Sequence, residues 1–243
     1  MSGGLWRIGK TFRFEATRTV TGRQDTGASR YDGHSFVAEV VLTAPRLTKV
    51  GFVVDFGELA PLSRHIDTVL DHQNLSQRLP DASNEGIGRY LTAWAREHLP
   101  AEAVSALEHV QIRAGRPSAP QPGAMVTFEA THRLEGLASD HPCGRLHGHS
   151  YLVTVAAADR HGQNPRPAEV PMLLRRYIRS TLHDAVLNEA VDFNPTCELL
   201  AHHLTCWLED RAVTGPGGLG MHVRVSETAT SWAAFEGHHR DRT

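Results

Sequence analysis

The sequence predicts an α+β protein built twice from one small module, each copy placing helices on one face of an antiparallel sheet. Three observations carry this. Five short motifs recur in one order, each copy passes from alternating strands to helical periodicity, and a Pro/Gly-rich stretch joins the copies. "FEATR" from Phe14 returns as "FEATH" from Phe128, and "DGHSF" from Asp32 as "HGHSY" from His147. "LDHQNLS" from Leu70 answers "LHDAVLN" from Leu182, "SNEGIGRYLTAW" from Ser83 answers "TCELLAHHLTCW" from Thr196, and "HVQIRAG" from His109 answers "HVRVSET" from His222. The offsets all fall between 112 and 115 residues, as a tandem duplication requires. "GRPSAPQPGA", residues 115–124, is the linker between a first module, 1–114, and a second, 125–243.

Within a copy the elements follow from local pattern. In "HSFVAEVVLTA", Phe36, Ala38, Val40 and Leu42 alternate onto one strand face, and "HSYLVTVAAA" repeats the device. Next comes apolar spacing of three and four, from Leu59 in one copy and Met172 in the other, predicting a helix. Ser83 and Thr196 read as N-caps of a second helix, each with a glutamate two positions on, Glu85 and Glu198. "VQIRA" and "VRVSE" close the copies as strands.

Composition sets bounds on function. The 243 residues are 40% apolar and 21% charged with a formal charge of −2, which gives no pull towards nucleic acid or an anionic membrane. No apolar run approaches a membrane span, and "MSGGLWRIGK" lacks a signal-peptide core. Three cysteines, Cys143, Cys197 and Cys206, make no disulfide framework, so a reducing cytoplasm is expected.

The chemistry concentrates in "CGRLHGHS". His147 and His149, at i and i+2 on a strand, face the same side, and His132 on the preceding strand can stand beside them. Three neutral imidazoles with an open position form the pattern of a catalytic zinc, against the plainer reading of polar residues at a strand edge. Cys143 is open to three roles: fourth ligand, small packed residue, or thiolate activated by a nearby cation.

"FEATHRL", "CGRLHGHSY", "PTCE" and "VSET" together resemble the 6-pyruvoyl-tetrahydropterin synthase family. The closer match is its bacterial branch, the 6-carboxy-5,6,7,8-tetrahydropterin synthases of queuosine biosynthesis, where a cysteine stands four residues before H-G-H. The resemblance covers residues 124–236 and, in degraded form, 8–115. It implies the T-fold (tunnelling fold), whose modules join side by side into a β-barrel. It implies Zn2+ held by His132, His147 and His149, catalysis by Cys143 aided by an aspartate–histidine pair, and Glu227 anchoring the pterin. The substrate it implies is 7,8-dihydroneopterin triphosphate, which loses triphosphate as its side chain is rearranged or cleaved. Six modules per assembly imply a homotrimer of this tandem chain.

The two copies divide these parts. The first has Arg18, Asp32 and His34 at the metal positions, Ala28 for the cysteine and Ala114 for the anchor. Arginine offers no lone pair to a metal. Yet this copy keeps the catalytic pair as Asp71 and His72, where the second has the reversed His183–Asp184, expected at a solvated helix end. The expected site is therefore composite, with Zn, Cys143 and Glu227 from one module and Asp71 and His72 from the other. Glu85 and Glu198 are either further pterin contacts or helix-turn acids, and His202, His203, His238 and His239 are expected in solvent. Two further readings stand beside this one: a T-fold that binds a pterin or purine without turnover, and a T-fold enzyme redirected to another substrate.

Overall fold

The structure, a computed structural model, describes residues 4–20, 30–115, 124–158, 169–211 and 220–237. Ala28, His238 and His239, and residues 116–123 of the 115–124 linker, lie outside the described residues. The first repeat runs β1 (Gly4–Val20), β2 (Arg30–Ala44), α1 (Ala60–His65), β3 (Gln73–Asn74), α2 (Leu75–Arg78), α3 (Asn84–His98), α4 (Ala101–Ala106) and β4 (Leu107–Ala114). The second runs β5 (Ala124–His132), β6 (His147–Ala158), α5 (Glu169–Tyr177), β7 (Ala185–Val186), α6 (Leu187–Ala190), α7 (Cys197–Arg211), β8 (Gly220–Thr228) and β9 (Ser231–Gly237). Both α1 and α5 end in one π turn, Ile66–Leu70 and Ile178–Leu182.

Chain contacts separate two compact units. One holds Met1–Ile8, Thr43–Val53 and Pro120–Thr243, and the other holds Gly9–Leu42 and Val54–Ala119. A segment of the first repeat, 43–53, thus folds with the second. In the larger unit the strand order runs from the start of β1 through β9, β8, β6 and β5 to β7. In the smaller it is β4-β2-β1, with β3 parallel to β1 through Ala16 and Gln73. Neither set of strands closes, so the barrel expected of assembled modules is not formed within a unit.

The alternation expected of β2 holds, since Phe36, Ala38, Val40 and Leu42 are all fully buried. Its other face is buried as well: Val37, Val41 and Glu39 are each 6% exposed. Glu39 is accommodated there by Arg113 of β4, Nη1 to Oε2 2.7 Å. The helix start signals are used as read. Ser83 Oγ accepts from Gly86 N at 3.0 Å, and Thr196 Oγ1 accepts from Leu199 N at 3.3 Å. Ile87, Leu91 and Ala95 then form the buried face of α3. Gly88 on that helix is needed for close approach, because an added Cβ would lie 2.6 Å from the Val110 carbonyl oxygen of β4.

One expectation needs correction. His202 and His203 are packed rather than solvated: His203 Nε2 lies 2.6 Å from Tyr177 Oη, and His202 stands edge-on to Phe235 with centroids 4.4 Å apart. His183 and Asp184 stand at an exposed helix end, as expected: they follow the π turn in an extended and then a left-handed conformation, Asp184 with φ 58°. Asp71 and His72 share that frame, His72 with φ 55°. These are the two non-glycine residues with positive φ among those described, and they occupy the same place in each repeat.

Candidate functional site

The site is built on the β5–β6 ladder. Antiparallel register puts His132 directly opposite His147 and Ala130 opposite His149, so all three imidazoles share one face. Their ligand atoms lie within 4.8 Å of one another. His132 Nδ1 is 2.9 Å from the Pro195 carbonyl oxygen, and His147 Nδ1 is 2.7 Å from that of Arg145. A carbonyl oxygen only accepts, so both Nδ1 atoms carry hydrogen and both Nε2 atoms present lone pairs. Those two Nε2 atoms are 3.2 Å apart. Facing lone pairs at that distance repel unless a cation joins them.

The spacing fits a metal. Bonds of 2.0–2.1 Å put neighbouring nitrogens of a tetrahedral site about 3.3 Å apart. His149 completes the set, its Nε2 buried with no hydrogen-bond partner. Burial holds the His132 and His149 imidazoles below the ordinary histidine range, with a smaller contribution from the neighbouring rings. They are therefore neutral near pH 7, the form that binds metal. Among the described residues this is the group that can hold an ion, and Cys143 stands outside it.

Glu227, on β8, is half-buried and acts on this cluster through its charge, which raises His132 against the stronger effect of burial. Cys197 donates to Glu227 Oε2, 3.4 Å from its Sγ. Burial above all, then Glu227, pushes the Cys197 thiol well up, so it stays a protonated donor. Glu198 is buried with Oε1 accepting from Val53 N at 3.0 Å. Cys143 sits on the 3-10 turn Pro142–Gly144 before β6, its amide donating to His141 Nδ1 at 3.1 Å and its carbonyl accepting from Leu134 N at 2.8 Å.

The other unit contains the aspartate–histidine pair. Asp71 Oδ1 accepts from Glu15 N at 2.8 Å and Oδ2 accepts from His72 Nδ1 at 2.7 Å. The Glu15 amide, then His72, holds the Asp71 carboxyl below its usual range. The His72 ring is exposed, and with Nδ1 occupied its Nε2 is the basic atom. In the second repeat the same frame carries the side chains exchanged. His183 Nδ1 accepts from Glu129 N at 3.3 Å, and Asp184 Oδ2 lies 3.5 Å from His183 Nε2. The reversal therefore swaps roles on a shared backbone frame.

At the first repeat's metal positions stands an ion-pair cluster. His34 Nε2 is 2.8 Å and Arg18 Nε 3.6 Å from Asp32 Oδ2. Arg18 Nη1 also donates to the Ala82 carbonyl at 3.2 Å, as His132 does to Pro195 in the other repeat. The guanidinium thus takes the charge of a cation and the hydrogen bond of a ligand. Glu85 is exposed in the first turn of α3, beside a cavity of about 770 Å³ between α3 and β4. Sequence reasoning missed Cys197, His141 and the Pro195 carbonyl. "NP" at Asn194 was the available signal, since that dipeptide marks a turn.

The family model for 6-pyruvoyl tetrahydropterin synthase matches residues 7–118 and again residues 124–238. Among solved structures, the chain is similar to the 6-pyruvoyl tetrahydropterin synthase of Caenorhabditis elegans at 23% identity and a TM-score of 0.36, covering 45% of this chain and 89% of that one. It is similar to the uncharacterized protein WS1659 of Wolinella succinogenes at 18% identity and a TM-score of 0.25, covering 97% and 99%. It is also similar to the Plasmodium vivax 6-pyruvoyl tetrahydropterin synthase at 11% identity and a TM-score of 0.21, covering 95% and 99%. Matched twice over nearly its whole length, the chain belongs to the 6-pyruvoyl tetrahydropterin synthase family.

Proposed function

We propose that this protein is a zinc-dependent carbon–oxygen lyase of the tetrahydropterin-synthase type. Its substrate is 7,8-dihydroneopterin triphosphate or a close relative, and the 6-carboxytetrahydropterin outcome of queuosine biosynthesis is favoured by the cysteine four residues before H-G-H. The observation that carries the reading is the convergence of one ring nitrogen from each of the three histidines, those of His132 and His147 being Nε2 lone pairs set by carbonyl acceptors. His132, His147 and His149 would hold the ion, which when bound supplies Lewis-acid polarisation of side-chain oxygens.

The chain's own groups do the rest. Glu227 orients the pterin by accepting two ring N–H bonds, a bidentate arrangement that favours a carboxylate. Cys143 and His72 move protons, with Asp71 fixing the His72 tautomer and stabilising its protonated form. Glu198 or Glu85 adds a pterin contact. Support for one site drawing on both repeats lies in the sequence, since each repeat lacks what the other keeps. Family members bind pterins and form oligomers, and three tandem chains would supply six modules. Among the described residues no helix is long and apolar enough to cross a membrane.

Purified protein incubated with dihydroneopterin triphosphate, with and without zinc, is expected to release triphosphate and a side-chain-altered pterin only with metal. Mass analysis of the products names the reaction. Intact substrate after prolonged incubation with zinc-loaded protein would favour a binder or a redirected enzyme.

A further inference from the structure

His132 owes its tautomer to a carbonyl that other residues aim. The turn around Pro195 is closed by Thr196 N–H on the Asn194 carbonyl at 2.8 Å. Both flanking side chains are pinned. Asn194 Nδ2 donates to the carbonyls of Val50 at 2.6 Å and Glu135 at 3.1 Å, and Oδ1 accepts from Glu135 N at 2.9 Å. Thr196, buried, donates from Oγ1 to the Gly51 carbonyl at 3.0 Å. Val50 and Gly51 belong to the first repeat yet fold within the same unit as the histidines. Gly51 has φ +103°, and a Cβ there would lie 2.8 Å from Leu199 Cδ1 and 3.2 Å from Thr196 Oγ1. Only glycine allows the two segments to approach so closely.

We propose that Asn194 and Thr196 are positioning residues for the metal centre, and that the first repeat, through the Val50 and Gly51 carbonyls, sets the second repeat's metal affinity. This rests on the reading of His132 as a ligand. With the Pro195 carbonyl held in place, the hydrogen stays on Nδ1 and the lone pair on Nε2. If that carbonyl turns away, the remaining partner of Nδ1 is Tyr151 Oη at 3.3 Å; a hydroxyl donates as readily as it accepts, so it leaves the ring free to take the tautomer that cannot bind.

The test is the metal affinity of the full chain. It is read by chelator competition for zinc and by the visible absorption of the cobalt-substituted protein. Thr196→Val keeps the shape and loses both the bond to Gly51 and the α7 cap on Leu199 N, the latter left intact in Gly51→Ala, and is expected to weaken zinc binding by about 10-fold or more and to change the cobalt spectrum. Thr196→Ser is expected to restore both. Thr92→Val removes a comparable hydroxyl in the other unit, one bonded to the Gly88 carbonyl at 2.7 Å and Val110 N at 2.9 Å. It is expected to lower Tm without changing zinc affinity. Should Thr196→Val fail to fold, Gly51→Ala carries the same expectation. Parental zinc affinity and an unchanged cobalt spectrum in a folded Thr196→Val or Gly51→Ala protein would overturn the inference alone. A His147→Ala chain that holds zinc as tightly as the parent would overturn the metal reading, and this inference with it.

Discussion

Which ring nitrogen carries hydrogen decides what each histidine in this protein can do. His132 and His147 give their Nδ1 hydrogens to carbonyls and leave Nε2 a lone pair facing the cluster, whereas His72 gives its own to Asp71 and leaves Nε2 a lone pair on an exposed ring. His183 accepts a peptide N–H at Nδ1 and so is spent as a base at that atom. Changing Cys143→Ala or His72→Ala is therefore expected to lower kcat by about 100-fold or more while leaving zinc content unchanged, since neither belongs to the convergent set. The double variant should be no worse than the poorer single one, because a proton-transfer unit fails once any member is lost. Steady-state kinetics beside elemental analysis measures both, and full activity in His72→Ala would remove the Asp71–His72 pair from the mechanism.

At the scale of elements, the two repeats keep a frame and trade its occupants. The α1–α3 pair is joined by His65 Nε2 to Tyr90 Oη at 2.8 Å, and the α5–α7 pair by Tyr177 Oη to His203 Nε2 at 2.6 Å, with imidazole and phenol exchanged. The strand pair that carries three imidazoles in one repeat carries Arg18, Asp32 and His34 in the other. If only side chains separate these two states, restoring them restores the site. Arg18→His with Asp32→His is expected to raise bound zinc from about one to about two ions per chain, with His34 as third ligand. Elemental analysis after dialysis counts them. A ratio still near one in a folded double variant would mean that the first repeat's backbone has also drifted from ligand geometry.

For the whole molecule, buried histidines tie stability to pH. His65, His132, His149, His202 and His203 are all held below the ordinary value of 6.5, in each case chiefly by burial. Above that value both folded and unfolded chains are neutral at these sites and nothing is gained. As pH falls through it, the unfolded chain binds protons that the folded chain resists, so stability falls. Asp32, Asp71 and Asp81 are shifted down as well, but their contribution is lost only as pH drops below the ordinary carboxylate range. Tm of the chelator-treated chain is thus expected to drop by several degrees between pH 7.5 and 5.0, and a flat profile would show that these rings are not buried in solution. The duplication, the order of elements, the trio His132, His147 and His149, and its replacement by Arg18, Asp32 and His34 in the first repeat were all legible in the sequence. They rest on short-range periodicity and on what each side chain can donate. Only the tertiary structure decided the tautomer of His132, set by a carbonyl 63 residues away. It alone showed that His183 and Asp184 exchange places on a left-handed turn, and that residues 43–53 fold with the other repeat. The physical reason is common to all three: each depends on which backbone groups meet in space, and neither period nor composition records that.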